Sequence, residues 1–493
     1  MELIARSLQH HAASRPDRPA LVSGSTTLTY GELWSHASSC AAWLATRNVR
    51  AQDRVIILGA PDDPWCVVAY FGAHLACAIA VPLDFRTPQA TIDEIAARVD
   101  PALVIDGTQF SILKQSVLEP APGADDPASA LARLSLDDPA DLLFTSGSTG
   151  RPKGVMLTHR NIAAATQNII AFIGNDSSDR EVCTVPLNHS FGLGRMRCNI
   201  VAGGTLILVP GLRFPALVFK ALLAHQATGL SCVPSGLAVL LRVAGEGLAE
   251  RTGALRYMEL GSERMDAPAK RELARLLSST RICMHYGLTE ASRSAFMEFH
   301  QDSQHLDSVG KAVGSVLLAV CDEAGTELEP GVTGRILVKG PTVMESYWRD
   351  PERTRAAVDD RGWFDTGDLG YLDAAGYLYL QGRSDDVINV GGRKVYPDTV
   401  EEAALQFPGV VEAACVASPD PEGLVAEVPA LYVVTAEAAP LDAAALIRHL
   451  EERIERHAVP RHIRGVGTLP RTASGKLQRA VLRAMEFREA GGA

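Results

Sequence analysis

Residues Thr145 to Gly154 read Thr-Ser-Gly-Ser-Thr-Gly-Arg-Pro-Lys-Gly, ten positions that combine hydroxyls, three glycines and two cations. Backbone N–H groups and hydroxyls in such a loop can wrap the oxygens of a polyphosphate, and Lys153 would add a positive charge. The spacing G-x-x-x-x-G-K-[ST] does not fit here, so this is a different kind of phosphate loop. Composition alone leaves a mobile Ser/Gly turn equally open.

Three further segments carry chemistry in order along the chain. They are Tyr286-Gly-Leu-Thr-Glu290, then Gly362-Trp-Phe-Asp-Thr-Gly-Asp368 with Gly382-Arg383-Ser-Asp385, then Pro470-Arg-Thr-Ala-Ser-Gly-Lys476. A carboxylate such as Asp368 has two acceptor oxygens and can receive both hydroxyls of a sugar. Taken singly, Asp368 reads as part of a solvated loop, and Arg383 and Lys476 as surface charges.

The four ordered motifs together resemble the adenylate-forming superfamily: acyl-CoA synthetases, adenylation domains of nonribosomal peptide synthetases, and luciferases. The resemblance covers essentially the whole chain. It implies that a carboxylic acid is converted with ATP and Mg²⁺ to an acyl-adenylate, with release of pyrophosphate, before the acyl group passes to a thiol. Such chemistry needs reactants positioned and negative charge neutralised. On the resemblance, Thr145, Ser146, Gly147, Ser148, Thr149, Gly150 and Lys153 hold the phosphates, and Glu290 ligates Mg²⁺ with Thr289 near the α-phosphate. Tyr286 stacks near the adenine, and Asp368 and Arg383 meet the ribose. Lys476 supplies the cation that meets the carboxylate and α-phosphate in the transition state. Asp385 is the hinge about which a small domain turns to bring Gly391, Gly392, Arg393 and Lys394 to the site for the thioester step.

Pro186-Leu-Asn-His-Ser-Phe-Gly-Leu-Gly194 resembles the segment that lines the family's acid pocket, with His189 at the position of an aromatic gate. A purely structural histidine is the equal alternative. The pocket candidates are His189, Phe191, Cys232, Pro234, Gly261, Gly287 and Ser292. The aspartate that usually holds an α-amino acid's ammonium is missing, which favours an aliphatic or aromatic acid. Arg195 and Arg197 read mainly as surface residues, with recognition of a second anionic group as the alternative. Arg264, in Leu260-Gly-Ser-Glu-Arg-Met265, stands where a Pro or Ala is usual. The thiol is coenzyme A or a carrier protein's phosphopantetheine. The first is slightly favoured, but His457-Ala458, where many CoA ligases have Tyr-Lys, keeps an acyl carrier protein open as partner. A non-thiol acceptor, or a nucleophile such as nitrite, is a further possibility on this fold. A regulator without catalysis would be expected to have lost Lys153, Glu290, Asp368 or Lys476, and all are present.

These residues need rigid elements to hold them. Thr29 and Glu32 form a capping-box pair ahead of Leu33, Ala37, Cys40, Ala41 and Leu44 at helical spacing. Apolar runs at Val55–Leu58, Ala80–Pro82, Ala102–Ile105, Leu142–Phe144, Leu206–Val209 and Arg281–Met284 alternate with helical patterns, which predicts an α/β fold with largely parallel sheets. The segment Leu118–Ala140, rich in Pro, Ala and Asp, reads as a surface connector. From Asp442 to His457, Leu446, Ile447, Leu450 and Ile454 share a helical face. The expected organisation is a large N-terminal ATP- and acid-binding domain, residues 1–384, and a small mobile α/β lid, residues 385–493.

Composition limits the function classes. The 493 residues are 47% hydrophobic and 21% charged, enough apolar material for several cores. A net charge of −11 argues against a nucleic-acid partner. The nine cysteines are scattered without C-x-x-C spacing, which argues against zinc or a disulfide framework. Met1–Pro19 has no apolar core of a signal peptide. Val67–Leu83 is too short for a membrane span and reads as a buried helix followed by a strand. A cytoplasmic enzyme is expected.

Overall fold

The computed structural model describes residues 1–60, 62–115, 127–146, 152–212, 214–253, 255–420, 423, 425–436, 441–471 and 477–485. Two compact units emerge: Met1–Leu318 with Val338–Phe364, and Ala319–Leu337 with Asp365–Ala493.

The first unit contains two large sheets. One has six strands in the order Ser346–Tyr347, Pro152–Thr158, Pro139–Ser146, Ile79–Asp84, Arg54–Gly59, Leu103–Ile105. The last four run parallel, because each returns through a helix or connector on the sheet's face. The other has nine strands, with the parallel set Tyr257–Leu260, Gly229–Cys232, Arg180–Cys183 and Thr205–Leu208 at its middle. Arg281–Tyr286 extends that parallel set, and Ala295–Glu298 then pairs antiparallel to it.

Local chemistry explains the entry points. The helix Tyr30–Thr46 begins with a complete capping box: Glu32 N–H donates to Thr29 Oγ1 (3.2 Å), and Thr29 N–H donates to Glu32 Oε2 (2.8 Å). The apolar run after Val67 splits into the helix Pro64–Leu75, started by Asp63 and Pro64, and the strand Ile79–Asp84, both almost wholly buried. Among the described residues no helix is long and apolar enough to cross a membrane. The expected connector Leu118–Ala140 holds more structure than its composition suggested. Residues 116–126 lie outside the described set, but Pro127–Arg133 is a helix whose Leu131 packs into the core.

The second unit holds most of the residues of a four-stranded sheet, Leu317–Cys321, Gly334–Lys339, Phe364–Leu372, Leu378–Arg383, whose last two strands are antiparallel. A hairpin, Ile388–Val390 with Arg393–Val395, and a three-stranded sheet, Val410–Pro419, Glu427–Thr435, His462–Gly465, follow. Its core gathers Ile388, Val400, Cys415, Leu431, Leu446 and Leu450. Asp442 caps the helix Ala443–Glu451, which stops short of His457; Ile454 still packs against the core from beyond its end.

Candidate functional site

The strands Pro139–Ser146 and Pro152–Thr158 form a hairpin in which Thr145 faces Lys153 and Ser146 faces Pro152. Its tip, including Gly147, Ser148, Thr149 and Gly150, lies outside the described residues. Thr145 Oγ1 is buried and has no hydrogen-bond partner among the described residues. A buried hydroxyl left so is costly unless a ligand oxygen completes it.

Lys153 projects from the second strand to Glu290, its Nζ 2.5 Å from Oε1. Glu290 is buried in the loop that follows Arg281–Tyr286. Burial alone would raise its carboxyl pKa. The charge of Lys153, that group's hydrogen bond and the Tyr347 hydroxyl outweigh burial and hold it below the usual range. Tyr347 O–H donates to the same Oε1 (2.9 Å) and accepts from Lys153 Nζ (3.2 Å), with the ammonium 5.0 Å from the ring centroid. Tyr347 was not among the residues expected from sequence. Its strand pairs with the phosphate hairpin, Tyr347 opposite Val155, and Met344 N–H donates to Glu290 C=O, so only strand pairing reveals it. Tyr286 is buried and Thr289 half-buried on the same segment.

Among the described residues no cluster of three or more His, Cys, Asp or Glu side chains could cage a metal. The buried Glu290 carboxylate beside this hairpin instead fits Mg²⁺, which takes one or two protein oxygens and fills the rest of its shell with phosphate and water.

In the second unit, Asp368 and Arg383 are cross-strand partners and form an ion pair at 2.8 Å. Arg383 also donates to Thr366 C=O (2.8 Å), and Ser384 Oγ donates to Gly367 C=O (3.0 Å). Gly367 has φ +70°, and a side chain there would strike the Arg383 guanidinium at 2.8 Å, so a glycine is required beside this pair. Asp385 is exposed in a short turn, Ser384–Asp386, between two strands. Gly391 and Gly392 have φ +58° and +87° at a hairpin tip that leaves Arg393 and Lys394 exposed. Lys476 lies outside the described residues.

The acid-pocket segment forms the helix Ser190–Ala202, with His189 exposed at its start. Arg195 and Arg197, expected mainly at the surface, are both buried, and this corrects the sequence reading. Arg195 donates to both oxygens of Glu181 (2.8 and 2.6 Å) and lies 2.9 Å from Glu259. Tyr257, Asn199 and Ser231 also donate to Glu181. Arg197 pairs with Asp141, itself joined to His74 (3.0 Å) and Tyr70 (3.2 Å). Each guanidinium is held by a buried carboxylate. Two arginines in a helix of mixed composition gave no periodicity from which their burial could be read.

Arg293, which sequence reading passed over, follows Glu290 closely and is also fully buried. Its Nη1 donates to Ser190 C=O (2.9 Å) and Ser292 Oγ (3.2 Å), its Nη2 to Phe191 C=O (3.0 Å), and Nε lies 3.5 Å from Glu259. His285 Nδ1 is 2.8 Å from Glu259 and its ring meets Phe191 edge-on at 4.7 Å. Burial, and then the charge of Arg293, keep His285 below its ordinary pKa and so neutral. Phe191, Gly261, Gly287 and Ser292 thus converge around Arg293 and His285. Cys232 is buried in the sheet core, and Pro234 begins the next helix, whose Ser235 binds Glu263 through N–H (2.7 Å) and Oγ (2.8 Å). Arg264 is exposed. On the opposite face of Ser190–Ala202, Leu193 and Met196 line a small apolar cavity of about 20 Å³ with Leu187, Ile57, Tyr70 and Leu83.

Residues 8–348 match the AMP-binding enzyme family, and residues 399–476 match the AMP-binding enzyme C-terminal domain. A sulfoacetate–CoA ligase of Cupriavidus necator is 32% identical over 98% of this chain and 97% of its own length. ATP-bound MatB from Rhodopseudomonas palustris superposes with a TM-score of 0.86 at 28% identity, covering 98% of both chains. The o-succinylbenzoate coenzyme A synthetase MenE of Bacillus subtilis, in complex with ATP and magnesium ion, has a TM-score of 0.83 at 28% identity, covering 97% of this chain and 98% of its own.

Proposed function

The chain belongs to the AMP-binding enzyme family and is an AMP-forming acid–thiol ligase, and from that premise we propose how its own residues divide the work. The enzyme activates a carboxylic acid with ATP and Mg²⁺. The relatives' acids, sulfoacetate and o-succinylbenzoate, differ from one another, so the acid itself must be sought in this chain's pocket.

The observation that carries the assignment is the Lys153–Glu290–Tyr347 cluster beside the buried Thr145 hydroxyl, which has no partner among the described residues. Lys153 and Glu290 neutralise each other when no nucleotide is present. With ATP bound, Lys153 turns to the phosphates with Thr145, Ser146, Ser148 and Thr149, and Glu290 is released as a metal ligand, so neither charge stays buried and unpaired. Mg²⁺ supplies charge neutralisation on the polyphosphate. Thr289 sits near the α-phosphate, Tyr286 against the adenine, and Asp368, oriented by Arg383, receives the ribose hydroxyls. Lys476 meets the carboxylate and α-phosphate. Residues 385–493 act as the mobile lid, hinged at Asp385, and His189 gates the pocket.

Coenzyme A is the acceptor this reading favours, because the named relatives are CoA ligases; a carrier-protein phosphopantetheine presents the same thiol. Acid-dependent ATP–pyrophosphate exchange, followed by mass spectrometry of products formed with coenzyme A or a loaded carrier protein, tests both steps. Thioester on the carrier alone would reassign the acceptor, and AMP release with neither thiol would reject it.

Tyr347 is a positioning residue in this scheme. Tyr347→Phe keeps the ring but removes a hydrogen bond to a charged group, and is expected to slow exchange roughly tenfold or more and to raise the Mg²⁺ concentration needed for half-maximal rate. An unchanged Mg²⁺ dependence would reduce Tyr347 to packing. Asp385→Pro stiffens the turn, and is expected to spare adenylation while impairing thioester formation. Equal loss of both steps would count against the hinge.

A further inference from the structure

We infer that Arg293 and His285 fill the floor of the acid pocket, so that the enzyme activates a compact acid carrying a single anionic group. This rests on the reading of Phe191, Gly261, Gly287 and Ser292 as the pocket's lining.

Glycines at a pocket wall normally leave room for a substrate, but here the room is already taken. A methyl group at Gly261 would meet the His285 ring at 2.0 Å, one at Gly194 the Arg293 guanidinium at 2.6 Å, and one at Gly287 the Arg293 backbone nitrogen at 2.4 Å. Phe191 closes the same space, with His285 edge-on at 4.7 Å and the Arg293 guanidinium 5.0 Å from its ring centroid. The plug is held from behind: Glu259 touches His285, Arg195 and Arg293, and Arg195 is anchored on Glu181. None of these groups is a loose surface side chain that a large acyl group could push aside without separating buried charges.

The charge count argues against a second anionic group on the acid. Arg195 and Arg293 are balanced by Glu181 and Glu259, and the terminal nitrogens of Arg293 already donate to two backbone carbonyls and Ser292. A second carboxylate or a sulfonate would find at this floor only guanidiniums already paired with Glu181 and Glu259.

The test is exchange by the intact wild-type enzyme across acids graded by size and charge: acetate, propionate, butyrate, benzoate, octanoate, malonate and sulfoacetate. Acetate or propionate should give the highest kcat/KM. Benzoate or octanoate at a comparable rate would overturn the inference. Malonate or sulfoacetate above acetate would overturn the single-anion part. Exchange with no acid at all would overturn the adenylation reading beneath it, and this inference with it. His285→Ala removes a neutral ring without unbalancing the cluster and should shift preference toward butyrate or benzoate by about 10–200-fold, the worth of a methylene-sized change in a pocket. Wild-type preference retained in a folded variant would overturn the plug. Arg293→Met provides a second, independent opening, and because the wild-type panel needs no variant, misfolding of either cannot shield the inference.

Discussion

Lys476→Ala is expected to lower acid-dependent ATP–pyrophosphate exchange by roughly 10²–10³-fold, the size of one lost oxyanion donor, while ATP still binds. Adenylation drives a carboxylate onto the α-phosphorus, so two negative groups converge where a cation is needed. Lys153 cannot serve both ends of the triphosphate, because it is fixed to the hairpin that faces Glu290. Its counterpart at the α-phosphate is proposed to be Lys476, which follows Ser474 and Gly475 in the sequence. The second half-reaction begins from acyl-adenylate already formed and does not need that cation. Thioester formation from synthetic acyl-AMP should therefore persist in the variant. Normal exchange would reject the assignment, and parallel loss of both steps would recast Lys476 as structural.

A loss of about 3–5 kcal/mol in the stability of the larger unit is expected for Asp141→Asn, the cost of breaking a buried ion pair from one side. Asp141 is wholly buried at the start of the strand that carries Thr145 and holds Arg197, His74 and Tyr70 together. Burial pushes its carboxyl pKa up, but Arg197 and His74 outweigh this and leave it below the usual range. A carboxylate with a lowered folded pKa contributes its stability above its unfolded value of about 3.9 and loses it as pH falls through the folded one. The gap between wild type and variant should accordingly narrow as the pH falls below that value. All five tryptophans, at positions 34, 43, 65, 348 and 363, lie in the larger unit, so fluorescence during denaturation follows it selectively. A gap below about 1 kcal/mol, within the range of an ordinary surface ion pair, would mean that Arg197 finds another partner.

The elements were legible wherever one physical signal dominated. The capping box at Thr29 and Glu32 and the apolar strand runs ahead of the phosphate hairpin are local patterns, and local patterns survive folding because the nearby backbone satisfies them. Helix Pro127–Arg133 was missed because the prolines and aspartates of the surrounding segment signal a loop, whereas its Leu131 packs into the core.

Chemistry-bearing motifs and their order along the chain could be read from sequence alone, because the four in that order resemble a known family although each taken singly has a bland alternative. Tertiary structure decided which charges are spent. Arg195, Arg197 and Arg293 look alike as residues, yet each is buried against carboxylates or carbonyls contributed by other elements of the fold. Tyr347 likewise meets Glu290 only because a two-residue strand adds to the edge of the phosphate hairpin. Desolvation and ion pairing depend on three-dimensional neighbours, so a linear reading names the candidate groups, and the packed protein settles which of them remain available to a substrate.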